Sequence, residues 1–280
     1  MNKLREKQRR LDENLRALGS VLIAYSGGVD SAYLAWCASR VLGKKMLAMI
    51  ADSPALARSQ FADALYFAQQ MNIPLEVIAT NELENEAYLK NDLQRCFHCK
   101  NELFAKMEKA RVLLGFAHLA YGRNLDDRDD LRPGQKAAGK YHVLAPLVDA
   151  GLGKEEIRLL AREAGLRVWD KPPESCLTSR IACGELVTRT RLQRIEEAEE
   201  FLSGFGLKQY RVSDHGGIAR IEIAPDEMKR VLSVAILQSI SSEIRSIGFD
   251  YVTLDCEGFD RDSLNRALSQ KNEAQPQARG

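Results

Sequence analysis

This sequence predicts an α/β protein with a second, smaller α+β domain, and three observations predict it. Short apolar runs alternate with longer amphipathic stretches up to about residue 170, the pattern of buried parallel strands separated by helices. A Gly-Gly turn, SGGVDS, stands where the first such run gives way to a helix. After residue 185 the order changes to helix, strand, strand, helix, strand. The expected plan is a parallel sheet with helices on both faces over residues 1–184 and a small α+β domain over 185–268. A polar, disordered tail is expected over 269–280.

The elements follow in order. MNKLREKQRRLDENLRALGS reads as a solvated amphipathic helix with Leu4, Leu11, Leu15 and Leu18 as its apolar stripe. VLIAYS is a short strand and AYLAWCASRVL an apolar helix. KMLAMIADS, PLEVIAT and HLAYG are further strands, with RSQFADALYFAQQMN and KNELFAKMEKARVLLGF as the helices between them. Residues 122–142, GRNLDDRDDLRPGQKAAGKYH, carry little apolar content and read as a loop. That loop is long for a compact domain, which marks it as functional. KPPESCLTSR is a second such loop, since its prolines disfavour helix. In the second domain, TRTRLQRIEEAEEFLSGFG is a helix, KQYRVSDH and IARIEIA are strands about a Gly-Gly turn, and FDYVTLDCEGF is the last strand. The helix before that strand is expected to start at Pro225.

Forty basic residues nearly balance thirty-nine acidic ones, so net charge offers no argument for a nucleic acid or an anionic membrane as partner. No apolar run approaches the ~20 residues of a membrane helix, and the charged N-terminus has no signal core. A cytoplasmic location is expected. Six cysteines in 280 residues are too few for a disulfide scaffold and point to thiols, metal sites or catalysis.

YSGGVDSAYLA brings backbone N–H groups and a helix N-terminus to one point, which suits an anion. Ser26, Gly27, Gly28 and Ser31 would cradle phosphate, and Asp30 would share a Mg²⁺ with it. No lysine follows the glycines, so this is not a Walker loop. SGGxDS instead resembles the PP-loop of the N-type ATP pyrophosphatases, which implies a Rossmann-like sheet and cleavage of ATP between its α and β phosphates. Asp52 and Ser53 end the next strand, at the ligand-bearing edge of such a sheet; helix capping is their plain alternative. Gly122 and Asn124 follow the fourth strand and would meet the adenine or ribose.

Cys96 and Cys99 form a CxxC pair, half of a metal site. Cys176 sits on the proline-rich loop near Lys171 and Arg180, which favour its thiolate. Three thiolates can hold a [4Fe–4S] cluster at three corners and leave one iron open. A redox pair or a minor zinc site is the alternative, with His98 and Cys183 as competing ligands. Cys37 reads as core filler and Cys256 as structural.

SGGVDS, RCFHCK, YGRNLDDRDDLRPG, KPPESCLTSR and RVSDHGGIARIEI occur in this order. The set resembles the LarE family of PP-loop sulfur transferases over roughly residues 10–260. The resemblance implies that ATP adenylates the carboxylates of pyridinium-3,5-biscarboxylic acid mononucleotide and that sulfur then replaces AMP. The product leads to the nickel-pincer nucleotide, a cofactor of lactate racemase and related enzymes. It implies Cys176 and Arg180 as catalytic residues, and a [4Fe–4S] cluster on Cys96, Cys99 and Cys176. It also implies a sulfide or persulfide donor and a homo-oligomer such as a hexamer. A family variant lacking the cluster gives up the sulfur of a lone cysteine matching Cys176. Arg211 and Arg220 suit the substrate phosphate, and Glu222 a metal or an arginine; surface salt bridges are the plain alternative. Asp126, Asp127 and Asp130 are further candidates for Mg²⁺, although a solvated acidic loop is the plainer reading of them. Three rivals share the loop: a cluster-bearing tRNA thiolase, an ammonia-using ligase, and a nucleotide-binding regulator.

Overall fold

The computed structural model describes residues 2–127, 133–172 and 175–259. Asp130 and the tail over 269–280 lie outside these residues. Contacts divide the chain into two compact units. The first holds residues 1–88 and 94–175, and the second holds 89–93 and the chain from Cys176 onward.

The first unit contains α1 (Asn2–Leu18), β1 (Val21–Ala24), α2 (Val29–Leu42), β2 (Met46–Asp52), α3 (Arg58–Gln70) and β3 (Leu75–Ala79). A short α4 (Glu86–Leu89) leads out of it. It continues with α5 (Arg95–Leu114), β4 (His118–Tyr121), α6 (Pro133–Lys140), α7 (Pro146–Asp149) and α8 (Lys154–Glu163). The four strands are parallel in the order β3-β2-β1-β4. Alternate side chains of a strand face opposite ways. Val21 and Ile23 therefore join the core under α1, α2, α3 and α8, while Leu22 joins the core under α5 and α6. Burial on both faces explains why β1 and β2 read as continuous apolar runs, whereas the edge strand β3 is largely exposed.

One segment departs from the expected loop over 122–142. Residues Pro133–Lys140 form a helix whose Ala137 and Ala138 are buried beside Phe104 and Met107 of α5. A Cβ on Gly134 would lie 2.6 Å from Lys100 Cδ, so this helix packs closely through small residues. Small residues carry little apolar signal, which is why the segment reads as loop.

The second unit contains α9 (Arg189–Ser203), β5 (Tyr210–His215), β6 (Ile218–Ile223), α10 (Val234–Ser246) and β7 (Tyr251–Leu254). β5 and β6 form an antiparallel hairpin, and β7 lies parallel to β6. Gly216 and Gly217 turn the hairpin with φ of 65° and 99°, which side-chain-bearing residues rarely adopt. Contacts place the stretch from Cys176 in this unit, and Ala182 N–H donates to Asp214 O at 3.1 Å, which ties that stretch to β5. Asn91 belongs here too, since its amide donates to the carbonyls of Ile181 and Ala182.

The helix expected from Pro225 starts later. Glu227 accepts from the amides of Lys208 and Gln209 at 2.9 Å each, which pins a separate turn at Met228–Arg230. The chain then restarts as α10 with Ser233 as its cap. No helix among the described residues is long and apolar enough to cross a membrane.

Candidate active site

β1 lies between β2 and β4, so the chain leaves the sheet to either side of it. Open α/β sheets bind ligands at such a switch point, beyond the carboxyl ends of the strands. The SGGVDS turn stands there. Gly27 has φ of 75°, and a Cβ on it would lie 2.6 Å from Ala64 Cβ, so both conformation and space demand glycine. Ser31 staples the turn. Its hydroxyl donates to Gly28 O at 3.1 Å and accepts the Ser26 amide at 3.1 Å. With that proton committed, Ser26 Oγ is the donor in the 3.0 Å contact between the two hydroxyls.

Gly122 follows β4 and closes on the same turn. A Cβ there would lie 2.6 Å from Ser31 N and 2.7 Å from Ser31 Cα. Contact with the α2 backbone by itself requires glycine here, and Gly122 also lines the cavity described next. Asn124 is buried, and its Oδ1 accepts the amides of Asp126 and Asp127, which shapes the turn after β4.

Between these segments lies a cavity of about 260 Å³. Ser26, Gly28, Asp30, Ser31 and Gly122 line it, together with Lys100, Arg123, Asp127 and Gln135. Leu103, Phe104 and Tyr121 give it an apolar wall. Lys100 and Arg123 supply positive charge for phosphate oxygens, while Asp30 and Asp127 supply carboxylates. Sequence reasoning missed Lys100 and Arg123; the signal available was their position directly after CxxC and within YGRN. Burial pushes the Asp30 carboxyl up, and its bond to Lys154 Nζ at 2.7 Å works against that. Asp30 Oδ1 is buried with no hydrogen bond in the structure, although Asn124 is near enough to favour the charged form slightly. A buried carboxylate oxygen left this way, beside a second carboxylate, fits a Mg²⁺.

The structure does not bring Asp52 and Ser53 to this cavity. Asp52 pairs with Arg58 at 2.6 Å. Ser53 is buried, donates to Glu82 and accepts the Ala55 amide.

Cys96 and Cys99 lie on the first two turns of α5, three residues apart and so on one side of it. Cys96 is exposed and Cys99 half-buried, one residue before Lys100. Cys37 is buried in the core with its thiol pushed up to about 12 by burial. No described cysteine is in a disulfide. Among the described residues no group of three His, Cys, Asp or Glu side chains is assembled to hold a metal.

The second unit carries Cys176, exposed, at the head of a short helical turn Leu177–Arg180. Arg180 is buried, donates to the Cys176 carbonyl at 3.0 Å, and pairs with Glu199 of α9 at 3.1 Å. Glu199 also accepts the amide of Val212 in β5. On the sheet, Arg211 and Glu222 stand opposite each other and form a buried two-pronged pair at 2.7 and 2.8 Å. Ser213 Oγ adds a third donor to Glu222 at 3.2 Å. Arg220 pairs with Asp255 and lies 3.6 Å from Glu222. Glu222 is thus held by arginines.

A family model described as NAD synthase matches residues 5–119. An uncharacterised protein of Synechocystis sp. is 39% identical over 261 residues, covering 92% of this chain and 97% of the relative. The pyridinium-3,5-bisthiocarboxylic acid mononucleotide synthase of Lactiplantibacillus plantarum is 28% identical over 270 residues, covering 96% and 97%. An uncharacterised protein of Methanocaldococcus jannaschii is 28% identical over 237 residues, covering 85% and 89%. With the phosphate-binding turn at the switch point of a parallel sheet and a full-length match to that synthase, this chain belongs to the LarE family of PP-loop, ATP-dependent sulfur transferases.

Proposed function

We propose that the protein converts the carboxylates of pyridinium-3,5-biscarboxylic acid mononucleotide to thiocarboxylates, on the way to a nickel-pincer nucleotide of the kind lactate racemase uses. The observation that carries this is the match of 96% of the chain to a synthase named for the dithio product.

The chemistry has two halves. A carboxylate oxygen of the acceptor attacks the α-phosphorus of ATP, and pyrophosphate leaves with the electron pair. A sulfur nucleophile then attacks the acyl carbon, and AMP departs as the leaving group. Ser26, Gly28 and Ser31 would bind the phosphates at the head of α2. Lys100 and Arg123 would hold their charge, and Asp30 with Asp127 would hold Mg²⁺, which screens the phosphates from the attacking carboxylate. In the second unit, Arg211 and Arg220 would take the phosphate of the acceptor, with Glu222 orienting them. Arg180 would fix the backbone that presents Cys176.

We propose further that Cys96, Cys99 and Cys176 would hold a [4Fe–4S] cluster, a reading supported by the soft thiolate chemistry of the three side chains. Cys96 and Cys99 share one side of α5, both outside the core, and Cys176 is exposed. Held by these thiolates, such a cluster would supply exchangeable sulfide for the second half-reaction. A sulfide or persulfide donor would reload it, and the working assembly would be a cytoplasmic homo-oligomer. The exposure of Cys176 also favours a second reading, in which its own sulfur is given up.

The test is release of pyrophosphate and AMP from ATP with the acceptor present and absent. Acceptor-dependent release is expected; release that needs tRNA or ammonia instead would overturn the substrate assignment.

A further inference from the structure

Lys154 opens α8 and reaches across to the phosphate-binding turn. Its Nζ donates to Asp30 Oδ2 at 2.7 Å, over a sequence separation of 124 residues. Its own backbone is fixed at the other end. The Lys154 amide donates to Asp126 Oδ2 at 2.7 Å, and the Asp126 amide is bonded to Asn124 Oδ1 at 2.9 Å. Leu125 N–H donates to Leu152 O at 2.8 Å, joining the turn after β4 to the start of α8. Gly153 belongs to the same joint, since a Cβ there would lie 3.0 Å from Asp126 Oδ1.

The two oxygens of Asp30 therefore have different surroundings. Oδ2 is taken by an ammonium held from outside the α2 turn. Oδ1 is buried without a hydrogen bond of ordinary geometry, although the Asn124 side chain favours the charged carboxylate, and the residue lines the cavity with Asp127. We infer that Lys154 is a positioning residue: by holding Oδ2 it sets the carboxylate rotamer and leaves Oδ1 to meet the metal on the nucleotide. Lys154 would not touch the phosphates. The inference rests on reading Asp30 as the carboxylate that faces Mg²⁺. Carboxylates that ligate metals depend on such supporting bonds, whose loss costs affinity without removing a ligand.

The test is calorimetric binding of ATP to the intact chain, with Mg²⁺ and with EDTA in its place, for the wild type, Lys154→Met, Lys154→Arg and Asp30→Asn. Lys154→Met should weaken Mg·ATP binding by about tenfold or more, the range for a lost support of a metal ligand. It should leave binding in EDTA unchanged, and Lys154→Arg should recover most of the loss. An equal loss in Mg²⁺ and in EDTA would make Lys154 a phosphate contact or a fold element and overturn the inference. No loss in either would overturn it as well. Asp30→Asn separates the premise: if it leaves the Mg²⁺ dependence intact, Asp30 is not the metal carboxylate and the underlying reading fails first.

Discussion

Arg180 Nη1 donates to the backbone carbonyl of Cys176 at 3.0 Å, from a guanidinium whose other edge is held by Glu199. An exposed cysteine thus stands on a backbone anchored to a buried ion pair. The arginine holds the peptide, which leaves the thiol clear for chemistry. The Ser179 hydroxyl donates to the same carbonyl at 2.7 Å.

Removing that anchor should damage both fold and function of the second unit. Arg180→Ala leaves Glu199 without its partner in a largely buried setting, at a cost of about 3 kcal/mol. Urea unfolding measures this. Arg180→Lys keeps the charge but not the two-sided geometry. It should retain most of the stability while losing thiocarboxylate formation more than pyrophosphate release.

Gly122 offers a test of the phosphate turn from the segment packed against it. In Gly122→Ala the new Cβ meets Ser31 N at 2.6 Å, and backbone at the head of α2 must move. Overpacking against backbone should cost about 1–3 kcal/mol. ATP binding should fall sharply, measured by calorimetry, while the second unit is unaffected.

Arg211 and Glu222 separate binding from stability. Arg211→Ala strips the two-pronged partner from a fully buried carboxylate, leaving it Ser213 and the more distant Arg220, and should destabilise by about 3 kcal/mol. Replacing both residues with apolar side chains of similar volume should restore most of that stability. If Arg211 also binds the acceptor phosphate, the double variant remains folded with a much raised KM for acceptor and an ordinary KM for ATP. Equal changes in both KM values would count against the phosphate role.

The three cysteines make a prediction about metal content. Protein purified without oxygen should carry about four irons per chain with matching acid-labile sulfide. Cys96→Ala, Cys99→Ala or Cys176→Ala should each lose them together. No iron after anaerobic reconstitution would leave Cys176 as a sacrificial donor, visible by mass spectrometry as loss of H₂S from that residue.

Much of the fold was legible because its signals are local. Val21, Leu22 and Ile23 are buried on both sides of the sheet and announce a central strand by themselves. The SGGVDS turn was legible because each residue acts on its neighbours, as Ser31 does on Ser26 and Gly28. α6 was not, since Ala137 and Ala138 are small. The late start of α10 was set by Glu227 bonding to Lys208 and Gln209, far back in the chain. Lys154 was missed for the same reason: nothing near it in sequence points to Asp30. Asp52 and Ser53 sat at the right edge of the sheet, yet Arg58 and Glu82 take them up.

The proposed function requires that sulfur reach the acceptor through an adenylate made on this protein. The most direct measurement is mass spectrometry of pyridinium-3,5-biscarboxylic acid mononucleotide after anaerobic incubation with the protein, ATP, Mg²⁺ and a sulfide source. Exchange of oxygen for sulfur at a carboxylate, dependent on ATP and abolished by Cys176→Ser, is the expected result. An unchanged acceptor, or an amide formed with ammonia and undiminished in Cys176→Ser, would contradict it.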